Sequence, residues 1–531
     1  SQLSMRLPLI LLLSFSRIQS FNILVYIPKF AISHINFMGK LADTLVEAGH
    51  NVTALVSEMD ANLPDGTKKA NIIRISPAEG ADHMNTHFMV EDTDMFELEF
   101  DSYSGMIENA RHNSISFCRQ CRKLLTTPGL VERLKNENFD ALITENFENC
   151  GVGLSHIISP KALIPVSSSF LFDGPDIGIS TSLITEHTPF NDARLHYSSI
   201  WTRINNFYTW FLMKAFFNTQ NVPLHKVFDE IHPGTPSFTE LVSNAAVVFP
   251  NSEPLIDYAT STISKVVPIG GITVGKPKPL NEYWSSLMSL RPKTVLVSFG
   301  SIAKSVLMKS SRKTAILKAF SSFLDSTFIW KYENSSDSFA TSEAAKVPNV
   351  VLTEWMPQLD LLADSRLSLF ISHGGMASCH EISTFGVPSL LVPIFGDQNH
   401  NAGALANTGI AEVFDKFDMS NTKKIREVIE KMLSDPSYKE EATRLRDQLA
   451  SRPSSPVEKF VKNVEFAAKF GPSKSLRPLN LQLSTNQFYG IDIFLVALIF
   501  VAAIIISLFS ISRLILGVFS SITIKKVHKM E

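Results

Sequence analysis

The sequence is short of cysteine, of net charge and of clustered metal-ligating residues, and each shortage removes a class of protein. Four cysteines in 531 residues are too few for a disulfide framework. Cys118 and Cys121 form a lone CxxC with no partner pair, which speaks against zinc, and no thioredoxin-like context surrounds them. They are expected in a helical segment, unpaired or bridged locally. Lys and Arg number 49 against 51 Asp and Glu, for a formal net charge of −2. That balance leaves no cationic footprint for nucleic acid, so none is expected as a partner. Disorder is excluded as well, because 45% of residues are hydrophobic and 19% charged.

Long apolar runs stand out near both ends. Leu7–Phe15 follows Arg6, and Ser20 precedes the strand-like Phe21–Pro28. A charged start, a short apolar core and a small residue make a secretory signal peptide over 1–20. A short buried strand is the alternative. Ile493–Ser512 is 20 residues without a charge, the length of a helix that crosses a hydrocarbon core. A transmembrane helix is therefore expected over 491–512, with 513–531 as a short tail. Arg513, Lys525, Lys526 and Lys529 mark that tail as cytoplasmic, which sets the body of the chain on the other side. Asn51 and Asn334 open glycosylation sequons compatible with that topology.

Between these ends the chain is long enough for two domains. Strand Asn22–Ile27, a helix from about His34 to Ala48, and strand Val52–Val56 make a βαβ beginning and imply a parallel sheet. Ala141–Thr144 and Ala245–Phe249 are further strands of that half. The pattern restarts at Thr294–Phe299 and continues through Phe328–Trp330, Val350–Thr353, Leu367–Ser372 and Leu390–Ile394. A Gly- and Pro-rich stretch, 270–293, reads as the linker between domains 21–269 and 294–475. The fold class is α/β, two doubly wound domains facing across a cleft that holds the ligand. The aromatic stretch Trp201–Phe217 fits either a membrane-surface segment or a buried helical hairpin.

The chemistry concentrates in Leu367–Asn401. A buried strand ends at Ser372, and His373-Gly374-Gly375 turns into a helix starting near Met376. The free N–H groups at such a helix start suit a phosphate, and His373 can donate to the same anion. Glu381 lies on the helix, in reach of a ribose hydroxyl pair. After the next strand, Phe395-Gly396-Asp397-Gln398 forms a polar loop suited to sugar hydroxyls.

Strand, HGG, helical Glu and GDQ in that order resemble the donor signature of the UDP-glucuronosyltransferases and the wider UDP-glycosyltransferases. Phe299-Gly300-Ser301 and Glu354–Gln358 extend the resemblance, which covers most of residues 21–530 and implies the two-domain GT-B type of fold. It implies that Trp355 and Gln358 flank the uracil, that Ser301, His373, Gly375 and Ser378 approach the diphosphate, that Glu381 holds the ribose, and that Asp397 with Gln398 holds the sugar. Ala377 stands where the family often has Asn, so one amide donor near the phosphates is missing. No metal or other cofactor is implied; a UDP-sugar is the co-substrate.

By the same resemblance the first domain binds the acceptor and carries the base. His34 lies between the first strand and its helix, with Ser33 as the expected cap. A positive helix end would keep the imidazole neutral and able to take a proton. Glu145, in Phe139–Asn146, takes the place of the Asp that vertebrate relatives pair with this histidine, and Asp140 and Glu148 are less well placed. The implied reaction is one inverting displacement at the anomeric carbon, with a hydroxyl of a small lipophilic acceptor as nucleophile. Glucuronic acid is the expected sugar and glucose the alternative. A different architecture, with a metal on Asp92-Thr93-Asp94, and a non-catalytic lumenal binding protein are the competing readings. Family resemblance also points to the endoplasmic reticulum membrane and to detoxification. Acceptor identity stays open, as does oligomeric state, a homo-oligomer included.

Overall fold

The computed structural model describes residues 20–83, 93–99, 102–170, 199–259, 262–478, 484–488 and 490–527. The expected signal peptide, Ser20 apart, lies outside them. The chain divides into two units, Ser1–Leu476 and Arg477–Glu531.

The first unit holds two sheets. Strands β1 (Asn22–Lys29), β2 (Asn51–Glu58), β3 (Asn71–Ile75), β4 (Ala141–Glu145), β5 (Ala162–Ser167) and β6 (Phe249–Pro250) form one, in the order β3-β2-β1-β4-β5-β6. Strands β7 (Lys293–Ser298), β8 (Ser326–Lys331), β9 (Val350–Thr353), β10 (Leu367–Ser372), β11 (Ser389–Leu391) and β12 (Ala411–Val413) form the other, in the order β12-β11-β10-β7-β8-β9. Every pairing within them is parallel. Counted from its own first strand, each sheet has the doubly wound order 3-2-1-4-5-6.

Parallel strands are covered on both faces and so read as continuous apolar runs. In β1, Ile23, Val25 and Ile27 pack with Ile35, Met38, Leu41 and Leu45 of α1 (Ile32–Glu47). Leu24 and Tyr26 point the other way, toward Cys121 and Leu124 of α2 (Tyr103–Thr126) and Val152 and Leu154 of α3 (Cys150–Ile158). Cys121 and Cys150 are joined by a disulfide. The bridge thus ties α2 to α3 instead of closing locally within CxxC, because Cys118, one helical turn away, points elsewhere and stays a free thiol.

The aromatic stretch Trp201–Phe217 belongs to one long helix, α4 (Ile200–Ile231), rather than to a helical hairpin. It packs against α2. Leu212, Phe216, Phe217, Leu224 and Phe228 are buried, whereas Trp201, Ile204, Phe207 and Phe211 are exposed.

In the second sheet, α5 (Met376–Phe385) follows β10 and α6 (Gln398–Asn407) follows β11. Strands β6 and β11 are shorter than their apolar runs suggest: Ala245, Val247, Val248 and Val392–Ile394 are buried yet outside the ladders, apart from a bridge from Val248 to Val266. The stretch 270–293 contains a helix, Glu282–Met288, whose Trp284 and Met288 anchor in the second core.

The halves exchange segments. Met95 and Phe96 lie in the core of the second sheet, with Phe96 fully buried edge-on to Phe299. In return, α7 (Pro456–Phe470) packs Phe460, Val464 and Ala467 on the first sheet. The cleft between the sheets is therefore held at more than one place.

The second unit carries α8 (Ile491–Val527). Its segment Ile491–Phe519, 29 residues, is long and apolar enough to cross a membrane. The helix does not break at Arg513 but runs through it, past the expected end at Ser512. The Arg513 guanidinium lies 4.8 Å from the Phe509 ring centroid.

Candidate active site

In a doubly wound sheet the strand order reverses beside the first strand, and helices leave the two flanking strands in opposite directions, opening a crevice at their C-terminal ends. Here those pairs are β1 with β4 and β7 with β10. The candidate residues gather at both crevices. His34 lies in the first turn of α1, just after β1, and Glu145 is the last residue of β4.

The His34 Nδ1–H donates to Glu145 Oε1 at 2.7 Å. Glu145 is 1% exposed, and Oε1 also accepts from the Ser168 hydroxyl at 2.6 Å and the Ser168 N–H at 3.2 Å. With Nδ1 so engaged, Nε2 is the nitrogen left for chemistry. Phe30 and Phe147 flank the imidazole, their ring centroids 4.5 and 5.5 Å away.

Two expectations about His34 are corrected. Helix α1 begins at Ile32 with Ala31 as its cap residue, so Ser33 is already inside the helix and caps nothing. Nor does the helix end hold the ring's proton affinity down. Burial lowers it, but the charge and hydrogen bond of Glu145, with a smaller contribution from Asp397, outweigh burial and raise it. The carboxylate is nearer than the diffuse partial charge of a helix terminus, and Coulomb energy falls with distance. Correspondingly, burial works to raise Glu145, but His34 and Ser168 hold it below the usual carboxylate range.

Asp140 lies at the other end of β4, where it accepts from the Asn22 N–H at 2.9 Å. Glu148 is buried, and desolvation pushes its carboxyl up to about 7.

Across the cleft, His373 sits in a slot made by glycines. Gly300, after β7, has φ +85°, and a Cβ there would lie 2.8 Å from the His373 ring. A Cβ on Gly375 would lie 2.5 Å from His373 Nε2. Gly374 turns the chain with φ +80°, a conformation that favours glycine. Burial pushes His373 down to about 4, with Asp397 opposing and Lys331 assisting, so the ring is neutral and donates through one nitrogen only. Its Nδ1 is buried with no partner among the described residues. A buried unpaired nitrogen costs free energy.

Gly375 is the cap residue of α5, and Ser301, next to Gly300 in the chain, is exposed. Ala377 is exposed and Ser378 buried. Gln358 Nε2 donates to Glu381 Oε2 at 2.6 Å and to the Ser378 hydroxyl at 3.3 Å. The structure thus groups Ser378 with Gln358 and Glu381. Burial raises the Glu381 carboxyl, with Gln358 opposing. Trp355 is 68% exposed, its indole open for stacking.

Asp397 precedes α6, and its Oδ2 accepts from Asn401 Nδ2 at 2.9 Å and from the Ser169 hydroxyl at 2.7 Å. Gln398 Oε1 accepts from the Ile394 and Phe395 N–H groups at 2.8 and 3.1 Å. That oxygen therefore shapes the Phe395–Gln398 loop from within.

Sequence reasoning missed Ser168 and Ser169, which touch the His34–Glu145 pair and Asp397. A run of three serines after an apolar strand was the only signal. It also missed Lys331, at the end of β8, whose Nζ donates to the Gly300 carbonyl at 2.6 Å. The metal reading of Asp92-Thr93-Asp94 meets a different use of Asp94: its carboxylate accepts from the Lys309 N–H at 3.1 Å and faces Arg312, while Glu97 pairs with Lys309 and Arg312. These charges join the two halves; Asp92 lies outside the described residues. Among the described residues no group of three or more His, Cys, Asp or Glu could hold a metal.

Known proteins place the chain in a family. The chain is 27% identical over 488 residues to ugt-47 of Caenorhabditis elegans, named for the UDP-glucuronosyltransferases, covering 89% of each chain. It is 24% identical over 489 residues to human UDP-glucuronosyltransferase 1A10, covering 89% of this chain and 88% of that one. Among solved structures, the glycosyltransferase of kitacinnamycin is similar with a TM-score of 0.59 at 17% identity, over 85% of this chain and 99% of that one. Glycosyltransferase VinC, solved in complex with dTDP, gives 0.55 at 15% identity, over 84% and 100%. At those identities the structural likeness speaks for the fold alone. The family described as UDP-glucoronosyl and UDP-glucosyl transferase matches residues 22–527, and the chain belongs to it.

Proposed function

We propose that the protein transfers glucuronic acid from UDP-glucuronate to a hydroxyl of a small lipophilic acceptor, inverting the anomeric carbon. The observation that carries this reading is the His34–Glu145 contact of 2.7 Å at the crevice that faces Asp397. In this mechanism His34 Nε2 takes the acceptor hydroxyl proton as the oxygen attacks the anomeric carbon. The bond from that carbon to the UDP oxygen breaks, and UDP leaves with the charge. Glu145 fixes the tautomer and stabilises the imidazolium that forms. His373, Ser301 and the N–H groups at the start of α5 receive the leaving diphosphate.

Trp355 stacks on the uracil beside Gln358, Glu381 binds the ribose, and Asp397 with the loop shaped by Gln398 binds the sugar. Acceptors lie against Phe30 and Phe147, whose rings flank His34, which favours apolar, aromatic-sized molecules. Residues 21–269 then form the acceptor domain and 294–475 the donor domain. The segment Ile491–Phe519 anchors both to the endoplasmic reticulum membrane on its lumenal side.

The test is UDP release by the membrane fraction with UDP-glucuronate or UDP-glucose and one promiscuous phenol. UDP-glucuronate is expected to support turnover that His34→Ala abolishes while UDP binding survives. Turnover with UDP-glucose alone would reassign the sugar. UDP binding without turnover of any donor would make the protein a binding partner instead.

A further inference from the structure

Strand β5 ends in Ser167, and the chain turns through Ser168 and Ser169 at the mouth of the cleft. Asn251, which follows β6, clamps this turn: its N–H donates to the carbonyls of Ser167 and Ser169 at 2.9 and 3.0 Å, and its Nδ2 to that of Ser168 at 3.0 Å. The Asn251 carbonyl in turn accepts from His380 Nε2 at 2.8 Å, and His380 lies on α5, the helix capped by Gly375. The two serine hydroxyls point to opposite sides of the reaction. Ser168 Oγ is 2.6 Å from Glu145 Oε1 and 2.9 Å from His34 Nδ1; Ser169 Oγ donates to Asp397 Oδ2 at 2.7 Å.

A carboxylate oxygen has two lone pairs, and Asp397 Oδ2 already accepts from Ser169 and Asn401. A sugar hydroxyl that donates to this oxygen displaces one of them. Ser169 is the easier to displace, because Asn401 is also tied to the Gly374 carbonyl at 3.2 Å. We propose that the Ser167–Ser169 turn couples the two halves of the site: Ser168 and Ser169 are positioning residues that set the His34–Glu145 pair in register with the donor sugar at Asp397.

This inference rests on the functional reading above and adds residues that touch the reacting groups only through others. The charged groups facing His34 are Glu145 and Asp397, one at each end of the turn. Disturbing either end therefore reaches the base.

The experiment measures kcat, donor KM and the pH dependence of kcat for the full-length protein with UDP-glucuronate, in Ser168→Ala, Ser169→Ala and the matching threonine variants. Both alanine variants are expected to lose about tenfold in kcat through misalignment and to move the acidic limb to higher pH, because Glu145 or Asp397, each of which raises His34, loses the serine hydroxyl that partly neutralises it. In Ser169→Ala the donor KM stays level or falls, since Asp397 is freed. The threonine variants keep the hydroxyl and restore kcat. Ser169→Ala with a raised donor KM and an unmoved limb would make Ser169 a plain sugar contact and overturn the coupling. So would threonine variants as slow as the alanines, which would indicate packing alone. A wild-type protein that turns over no donor overturns the functional reading, and the coupling with it; active wild type with wild-type-like alanine variants overturns the coupling only.

Discussion

Gly375→Ala isolates the role of His373. Gly375 has φ −63° and ψ 144°, which any residue adopts, so the substitution strains no backbone. Its one cost is contact: the new Cβ falls 2.5 Å from His373 Nε2, roughly 1 Å inside ordinary van der Waals separation. The imidazole is a side chain and can rotate away. The fold is expected to survive, while the ring loses the aim at the phosphates that the proposed function gives it. A misplacement of about 1 Å costs roughly 100-fold in rate, or about 2.7 kcal/mol of transition-state stabilisation. Gly300→Ala crowds the same ring, but at φ +85° it adds backbone strain and mixes the two effects.

The assay is kcat/KM for UDP-glucuronate with a phenolic acceptor, in wild type, Gly375→Ala, His373→Ala and the double variant. If Gly375 acts through His373, the alanine at 375 costs about 100-fold in the wild-type background and little once His373 is gone, because the Cβ then meets no ring. Such a cycle separates a shared effect from two independent ones. Equal losses in both backgrounds would refute the slot argument and make Gly375 a backbone contact to the phosphate. Activity within twofold of wild type in Gly375→Ala would refute any close role for His373.

Glu145→Gln keeps the shape of the base pair but removes its charge. The kcat/KM should fall by about 100- to 10,000-fold. The acidic limb should move down, since His34 keeps its burial and loses the main cause of its raised proton affinity; an unmoved limb would refute that assignment. Glu148 carries a stability prediction with the opposite sign. Its carboxyl is pushed up to about 7 when folded, from an ordinary value of 4.5, so the stability it contributes is complete below pH 4.5 and is lost as pH rises through 7. The loss is on the order of 3 kcal/mol, and Glu148→Gln should flatten the thermal midpoint across that window. Cys121→Ala with Cys150→Ala opens a loop of sequence separation 29 and should cost about 3–4 kcal/mol. Cys118→Ala, at a free thiol, should not reproduce that loss.

The grouping of the candidate donor residues was legible because the signature is local. His373, Gly375, Ser378 and Glu381 lie within one strand–turn–helix unit, and the same sequence that makes the turn presents the chemistry. What that unit hides is non-local. Nothing in the HGG triplet reveals that Gly300, far away in the chain, forms the opposite wall of the slot; only the pairing of β7 with β10 puts the two together. Likewise, the helix boundary at Ile32 and the partner of Cys121 depart from expectation because both depend on packing. Ala31 makes no side-chain cap bond, and Cys121 reaches Cys150 only through the way α2 lies over α3.

The acceptor half tests that distinction harder, since His34 and Glu145 are 111 residues apart. They meet because β1 and β4 are neighbours in register, with Tyr26 beside Thr144, which brings the chain ends after both strands to one crevice. Doubly wound topology is enough to predict such a meeting. It does not predict what holds the pair. Glu145, one methylene longer than Asp, needs a second restraint to present a single oxygen to Nδ1, and Ser168 supplies it with both hydroxyl and N–H. The length of the acid and the serine beside it are therefore one solution rather than two features. On that argument Glu145→Asp should be impaired even though the charge is kept. The shorter arm draws the carboxylate away from either Ser168 or His34, and activity intermediate between wild type and Glu145→Gln is the expected result. Full activity in Glu145→Asp would mean that the serine is dispensable and that the register of β1 and β4 alone aligns the base.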